Sequence, residues 1–302
     1  MLEFERQYYS QGKNLIAGID EVGRGPLCGP VVAASVILPQ NVEIPGVSDS
    51  KKLSAKKRDT LYKEIETHAL DIGLGIIHED RIDEINILQA TMQAMRESIE
   101  NLKQNPDMLL VDGNIKPLTS IPQDSIIKGD SKSLSIASAS IIAKVTRDRM
   151  MGQYDMIYPG YGLYRNMGYG TKEHIEALRS SFSTPIHRKS FNPVSECMPR
   201  FKDIKDIQRL SRQIVGTQLL KQGHEILMIH GESCALDILT SFKGYINAYS
   251  LSTDTPKGAI EKEAENTINQ LIDKKDIITS INISVTSVEF SKEKPKINYT
   301  IL

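Results

Sequence analysis

Asn14-Leu-Ile-Ala-Gly-Ile-Asp-Glu-Val-Gly-Arg-Gly-Pro-Leu-Cys-Gly-Pro-Val-Val-Ala-Ala-Ser-Val-Ile-Leu38 is the stretch on which the reading of this chain turns. Asn14 to Asp20 is a short apolar run ending in acid, and Gly29 to Leu38 is a second run rich in Val and Ile. β-Branched residues fit a pleated surface, and a glycine-punctuated turn joins the runs, so an antiparallel hairpin is expected. Charge collects where the first run ends: Asp20 and Glu21 are adjacent, and Gly23-Arg24-Gly25 follows at once.

Outward from the hairpin, Ser54 opens a helical pattern as N-cap, with Leu61 and Ile65 one turn apart. A second helix is expected through Leu88, Met92, Met95, Ile99 and Leu102, stopping at Asn105-Pro106 because proline cannot continue it. Met108 to Asp112 reads as a buried strand with an acid at its end. A short strand through Ile126-Ile127 leads into Gly129-Asp130, and a long helix follows to about Tyr154. Thr171 caps one more helix. The class is therefore α/β, a mixed sheet flanked by helices.

A boundary is expected between Pro193 and Pro199, dividing the chain into domains 1–198 and 199–302. In the second, Ile204, Ile207, Leu210, Ile214 and Leu219 mark an amphipathic helix closed by Gly223. Strands are expected at His224–His230, Ala235–Leu239 and Tyr245–Leu251, then a polar helix over Ala259–Leu271, then strands Ile277–Phe290 and Ile297–Ile301. This is a smaller α/β domain.

Composition narrows the class. The 302 residues are 40% hydrophobic and 25% charged, enough for a core and unlike a disordered tail. The apolar run Gly29–Pro39 is too short to span a bilayer, so no membrane association is expected. An acidic N-terminus and three widely spaced cysteines (Cys28, Cys197, Cys234) argue against secretion, a disulfide framework or a zinc ribbon. A reducing cytoplasm is the expected location. With a net charge of −1, a polyanion would have to be held by local blocks. The candidates are Lys51, Lys52, Lys56, Lys57 and Arg58; Lys144, Arg147 and Arg149; and His187-Arg188-Lys189.

Asp20, Glu21, Asp112 and Asp130 each follow or end an apolar strand, which suggests one carboxylate cluster at a sheet edge. Clustered carboxylates repel unless they share a proton or hold a cation, and oxygen-only ligation suits Mg²⁺ or Mn²⁺. Such sites serve phosphoryl chemistry. Neighbours in a regular strand point to opposite faces, so Asp20 and Glu21 can both serve only where the strand end is frayed or bulged. Gly23-Arg24-Gly25 can bring backbone N–H groups and a guanidinium to a phosphate, and Tyr169 between two glycines can stack on a base or sugar.

Ala17 to Val32 closely resembles the opening motif of bacterial ribonuclease HII. The resemblance continues through Asp49-Ser-Lys-Lys-Leu-Ser54, Asp83–Leu88, Val111-Asp-Gly113, Lys128-Gly-Asp130, Ala139–Asp148, Gly168–Thr171 and His187–Phe191. It implies a ribonuclease H-like fold and a metal-dependent endonuclease. Such an enzyme acts on RNA–DNA hybrid duplexes and cuts 5′ of ribonucleotides embedded in duplex DNA, leaving 5′-phosphate and 3′-hydroxyl ends. The family's catalytic, metal-holding acids fall on Asp20, Glu21, Asp112 and Asp130, and its 2′-OH and phosphate reader on Gly23, Arg24 and Gly25. Its junction tyrosine falls on Tyr169, and Lys51 and Lys52 would face the duplex. Cys28 stands where alanine is usual. Residues 199–302 faintly resemble the YraN-type restriction-endonuclease-like family, with Asp237 as the surviving acid, and are expected to be degenerate. A catalytically inactive nucleic-acid scaffold, or a C-terminal protein-interaction module, is the alternative. A monomer is expected, and no protein partner can be named.

Overall fold

The computed structural model describes residues 1–47, 53–198, 207–230, 236–243, 245–251, 259–260, 262–264, 281–289 and 296–301. In chain order the first elements are α1 (Glu3–Tyr9), β1 (Ile16–Val22), β2 (Val31–Ile37), α2 (Ala55–His68), β3 (Asp71–Ile77) and α3 (Glu79–Glu100). Next come β4 (Met108–Asp112), β5 (Gln123–Ile126), α4 (Leu134–Ile157), α5 (Leu163–Asn166) and α6 (Lys172–Ser181). The last are α7 (Ile207–Lys221), β6 (Glu225–Ile229), β7 (Ile238–Phe242), β8 (Tyr245–Ser250), β9 (Ile281–Glu289) and β10 (Lys296–Ile301). The chain falls into two compact units. One comprises Met1–Met151, Arg165–Leu178 and Ile186–Cys197, the other Gly152–Tyr164, Arg179–Pro185 and Met198–Leu302.

The first unit is built on a five-stranded sheet in the order β3-β2-β1-β4-β5. β1 and β2 form the expected hairpin, antiparallel from Ala17↔Ile37 to Val22↔Val32. β4 and β5 run parallel to β1; α3 lies in the connection to β4, whereas residues 113–122 join β4 to β5 without a helix. Alternation along β2 sorts its side chains between two cores. Val32, Ala34 and Val36 pack with Leu61 and Ile65 of α2 and with Ile141, Ile142 and Val145 of α4. Val31, Ala33 and Ile37 pack with Ile82, Met95 and Ile99 of α3. The Ser54 side chain caps α2 by accepting from the Lys57 N–H at 3.3 Å.

β3 is absent from the sequence-based expectation because Gly73 and Gly75 interrupt its apolar pattern. Both glycines are steric requirements of the α3 packing. A Cβ at Gly73 would lie 2.0 Å from the Ser98 carbonyl oxygen, and one at Gly75 would lie 1.9 Å from that of Ala94. On the other face of the sheet, a Cβ at Gly18 would lie 2.1 Å from the Ser135 carbonyl carbon. The α4 backbone therefore rests directly on β1. Glu5 of α1 is buried against the start of α4, where it accepts from Ser133 Oγ at 2.6 Å, Ser135 Oγ at 2.8 Å and the Ser135 N–H at 3.0 Å. A carboxylate there satisfies the open N–H groups of the helix end and complements its dipole.

The second unit has its own five-stranded sheet, β10-β9-β8-β7-β6. β6, β7 and β8 form an antiparallel meander, β9 joins parallel to β8, and β10 is antiparallel to β9. The second strand of this unit, expected from Ala235, begins at Ile238, and residues 231–235 lie outside the described set. So does most of the expected polar helix over 259–271. Leu236, Leu239, Ala248, Ile260 and Ala264 form a small core. Among the described residues no helix is long and apolar enough to cross a membrane.

Candidate active site

The acids gather where two strands part. Parallel pairing of β1 with β4 ends at Ile19↔Val111, whereas pairing of β1 with β2 continues to Val22↔Val32. Asp20 and Glu21 thus lie on a strand held on one side only, and Asp112 ends the strand on the open side. β1 has no bulge here; the fraying on the β4 side is what exposes both acids to Asp112.

Asp20 is buried, accepting from the Glu21 N–H at 2.7 Å and from Ser140 on α4. Burial raises its pKa well above the ordinary carboxylate value, and the charges of Glu21 and Asp112 push in the same direction. Those two hydrogen bonds act the other way. Burial also raises Glu21, and Asp112 adds to the rise; Arg24 opposes it, with Nη1 3.3 Å from Glu21 Oε1. Asp112 Oδ1 accepts from the Gly129 N–H at 2.6 Å. Asp130 follows Gly129 in the short helical turn Gly129–Ser131, entered through a left-handed Lys128 (φ 58°), so the same bond anchors the start of the turn that carries Asp130. The donor set is oxygen only and strongly anionic, which fits a hard divalent cation.

The loop after Glu21 is held from beneath by two fully buried arginines. Arg188 donates through Nη2 to the Gly23 carbonyl at 2.5 Å and to that of Gly29 at 2.9 Å, and through Nη1 to that of Arg24 at 3.0 Å. Arg147 donates to the carbonyls of Pro30 (2.9 Å), Cys28 (3.1 Å) and Met167 (2.8 Å). Gly23 has φ 96°, and a Cβ there would lie 2.4 Å from Arg147 Nε, so both conformation and space demand glycine. The Leu27 N–H bonds the Gly168 carbonyl at 2.8 Å, which draws the next loop in. As a result the Tyr169 ring approaches within 3.6 Å of a Cβ built on Gly25, while the side chain stays 44% exposed.

Two of the three basic blocks are not the surface patches expected. Arg147 and Arg188 are structural, their guanidiniums spent on loop carbonyls. Lys144 is paired with Asp148 at 2.6 Å, and Arg149 sits 4.4 Å from the Tyr62 ring centroid and 3.4 Å from Asp59. In the remaining block, Lys56 and Lys57 are exposed; Lys51 and Lys52 lie outside the described residues. Cys28 is fully buried, and burial pushes its thiol up to about 12 against the pull of Arg147 and Arg188. It is no nucleophile.

Sequence reasoning missed Ser140, Arg147 and Arg188 as parts of this site. Ser140, Ala143 and Arg147 share one helical face by their spacing, and an arginine on that buried face was the available signal. In the second unit, Asp237 is engaged structurally. It pairs with Arg212 at 3.4 Å and accepts from the Leu251 N–H at 2.7 Å.

Comparison with known proteins adds the following. The family model for ribonuclease HII matches residues 17–194. A ribonuclease HII of Enterococcus faecalis is 57% identical over 196 residues, 65% of this chain and 76% of the relative. A ribonuclease HII of Bacillus mycoides is 55% identical over 200 residues, 66% of this chain and 77% of the relative. The crystal structure of ribonuclease H2 from Pyrococcus horikoshii is similar with a TM-score of 0.55 at 25% identity, covering 64% of this chain and all of that one (100%).

Proposed function

The chain belongs to the ribonuclease HII family, and on that premise we propose how its own residues carry out metal-dependent endonucleolytic hydrolysis of RNA in RNA–DNA hybrids. The observation that carries the assignment is the placement of Asp20, Glu21 and Asp112 where the β1–β4 pairing stops at Ile19↔Val111 while β1–β2 continues. Asp20, Glu21, Asp112 and Asp130 would hold the divalent ions, and Mg²⁺ and Mn²⁺ both suit their oxygen atoms. Such ions, when bound, supply an activated water and stabilise the departing 3′-oxygen.

The protein's part is positioning. Ser140 holds the Asp20 carboxylate through a hydrogen bond, and Gly129 holds that of Asp112. The Gly23-Arg24-Gly25 backbone, fixed by Arg188, reads the ribose 2′-OH, the one group that separates RNA from DNA at a given site. Arg24 exchanges Glu21 for a substrate phosphate. Tyr169 stacks on the sugar at the RNA–DNA junction, and Lys51 and Lys52 contact the duplex backbone. A sensor for a single 2′-OH accounts for cleavage 5′ of a lone ribonucleotide, leaving a 5′-phosphate and a 3′-hydroxyl. Residues 1–198 carry this chemistry as a cytoplasmic monomer. Residues 199–302 serve in packing or binding, since Asp237 is committed to Arg212 and the Leu251 N–H.

The test is cleavage of a DNA duplex bearing one ribonucleotide, beside a continuous hybrid and an all-DNA control, with and without Mg²⁺ or Mn²⁺. Metal-dependent cutting at the lone ribonucleotide is expected. Cutting of the continuous hybrid alone would remove the single-ribonucleotide assignment, and binding without any cutting would favour the inert scaffold.

A further inference from the structure

We propose that Cys28, His174 and His187 form a second metal site, for Zn²⁺ or an ion of similar softness, separate from the carboxylate cluster. All three residues are fully buried, and one ligand atom from each lies within 4.8 Å of the others. Thiolate and imidazole together select borderline and soft ions, whereas the carboxylates select hard ones.

The geometry is close to what such an ion requires. His174 Nδ1 lies 3.0 Å from the Tyr169 carbonyl oxygen, which makes Nδ1 the protonated nitrogen and leaves the Nε2 lone pair pointing inward. His174 Nε2 is 3.0 Å from His187 Nε2, with the ring centroids 5.3 Å apart and the planes tilted by 52°. Two imidazole nitrogens on a tetrahedral zinc, each bonded at about 2.0–2.1 Å, lie about 3.3 Å apart, so the rings need to separate by only a few tenths of an ångström. Cys28 is bridged to His187 through the backbone, which brings its Sγ within 4.8 Å of both ligating nitrogens, so the thiol must draw in further than the rings separate. The carbonyl behind His174 is the kind of outer partner that orients a ligating imidazole.

Without the ion the two rings share a hydrogen bond. Binding forms one bond to Sγ and one to each Nε2. The thiol proton leaves to solvent, and the His187 proton moves from Nε2 to Nδ1. Burial disfavours the Cys28 thiolate, with Glu79 adding to that effect; Arg147 and Arg188 offset it only in part, so the ion itself must supply the charge that deprotonates the thiol. Cys28 belongs to the loop after Gly25 and His174 holds the backbone of Tyr169, so the ion would link the two loops assigned to substrate.

Co²⁺ is the probe, because thiolate ligation gives a charge-transfer absorption that carboxylate ligation lacks. Titration of the full-length protein is expected to produce that band, saturating at one equivalent and discharged by Zn²⁺. Cys28→Ala, a small change at a buried position, should abolish it, and so should His174→Gln. The Asp20→Asn/Asp112→Asn double variant should retain it. No band in the unaltered protein, or a band that persists in Cys28→Ala, overturns the proposal.

Discussion

Arg188 bonds the Gly23 carbonyl at 2.5 Å from inside the protein, so the loop facing substrate is shaped by a guanidinium that never meets it. Lysine cannot reproduce a planar fork that reaches Gly23, Arg24 and Gly29 together. Arg188→Lys should leave at least one buried carbonyl without a donor, at a cost of roughly 1–3 kcal/mol. Denaturant unfolding should show that loss. Discrimination between ribonucleotide and deoxyribonucleotide should fall more than cleavage of the continuous hybrid.

Asp20 is expected to trade stability for function. Its folded-state pKa lies above its unfolded value, so the charged form is what folding disfavours. In chelator, the stability that Asp20 contributes is therefore present at low pH and is lost as pH rises from the unfolded value to the raised one. Asp20→Asn should abolish cleavage while raising the stability of the metal-free protein at neutral pH by ~1–2 kcal/mol. Thermal melts of both proteins in chelator at pH 4 and pH 7 check the sign: the gap should widen at the higher pH.

Asp130→Asn removes one negative charge and keeps the shape. Turnover should drop by on the order of a hundredfold or more, with duplex binding kept or tightened by the lost repulsion. Single-turnover cleavage and a binding titration on the same duplex separate the two effects.

Tyr169 lies over Gly25 with its ring largely accessible. Stacking on a nucleotide is worth about 1–3 kcal/mol, so Tyr169→Ala should lose roughly 5- to 150-fold in kcat/KM on the single-ribonucleotide duplex. Tyr169→Phe should lose far less. Equal losses in the two variants would shift the role to the hydroxyl.

Gly75→Ala would thrust a methyl group at the Ala94 carbonyl oxygen, 1.9 Å away. Forcing α3 off the sheet should cost about 3 kcal/mol or more. Equilibrium unfolding measures it, and activity per folded molecule should be unchanged.

The hairpin and the β4 strand were legible because their apolar runs end abruptly in acid, a pattern that burial alone does not produce. β3 was not legible: Gly73 and Gly75 answer to the backbone of α3, a tertiary demand that leaves no apolar period. Ser140 was hidden because a serine on a buried helical face looks like any surface residue until its partner is known; Arg147 stood out on that face, but its carbonyl partners lie in distant loops. Cys28 lies far along the chain from His174 and His187, and no spacing rule links it to them. The C-terminal elements were readable in order. Their pairing, with β9 set parallel to β8, had to come from the structure.

At Gly18 the α4 backbone touches β1 where a side chain would begin. The backbone spacing across which Ser140 reaches Asp20 is therefore set by two main chains in contact, and no side-chain rotamer can relieve that contact. Position 18 acts as a spacer of fixed gauge. A single added methyl group would lift the helix like a shim under a bearing, and the misalignment would appear at Asp20, two residues away.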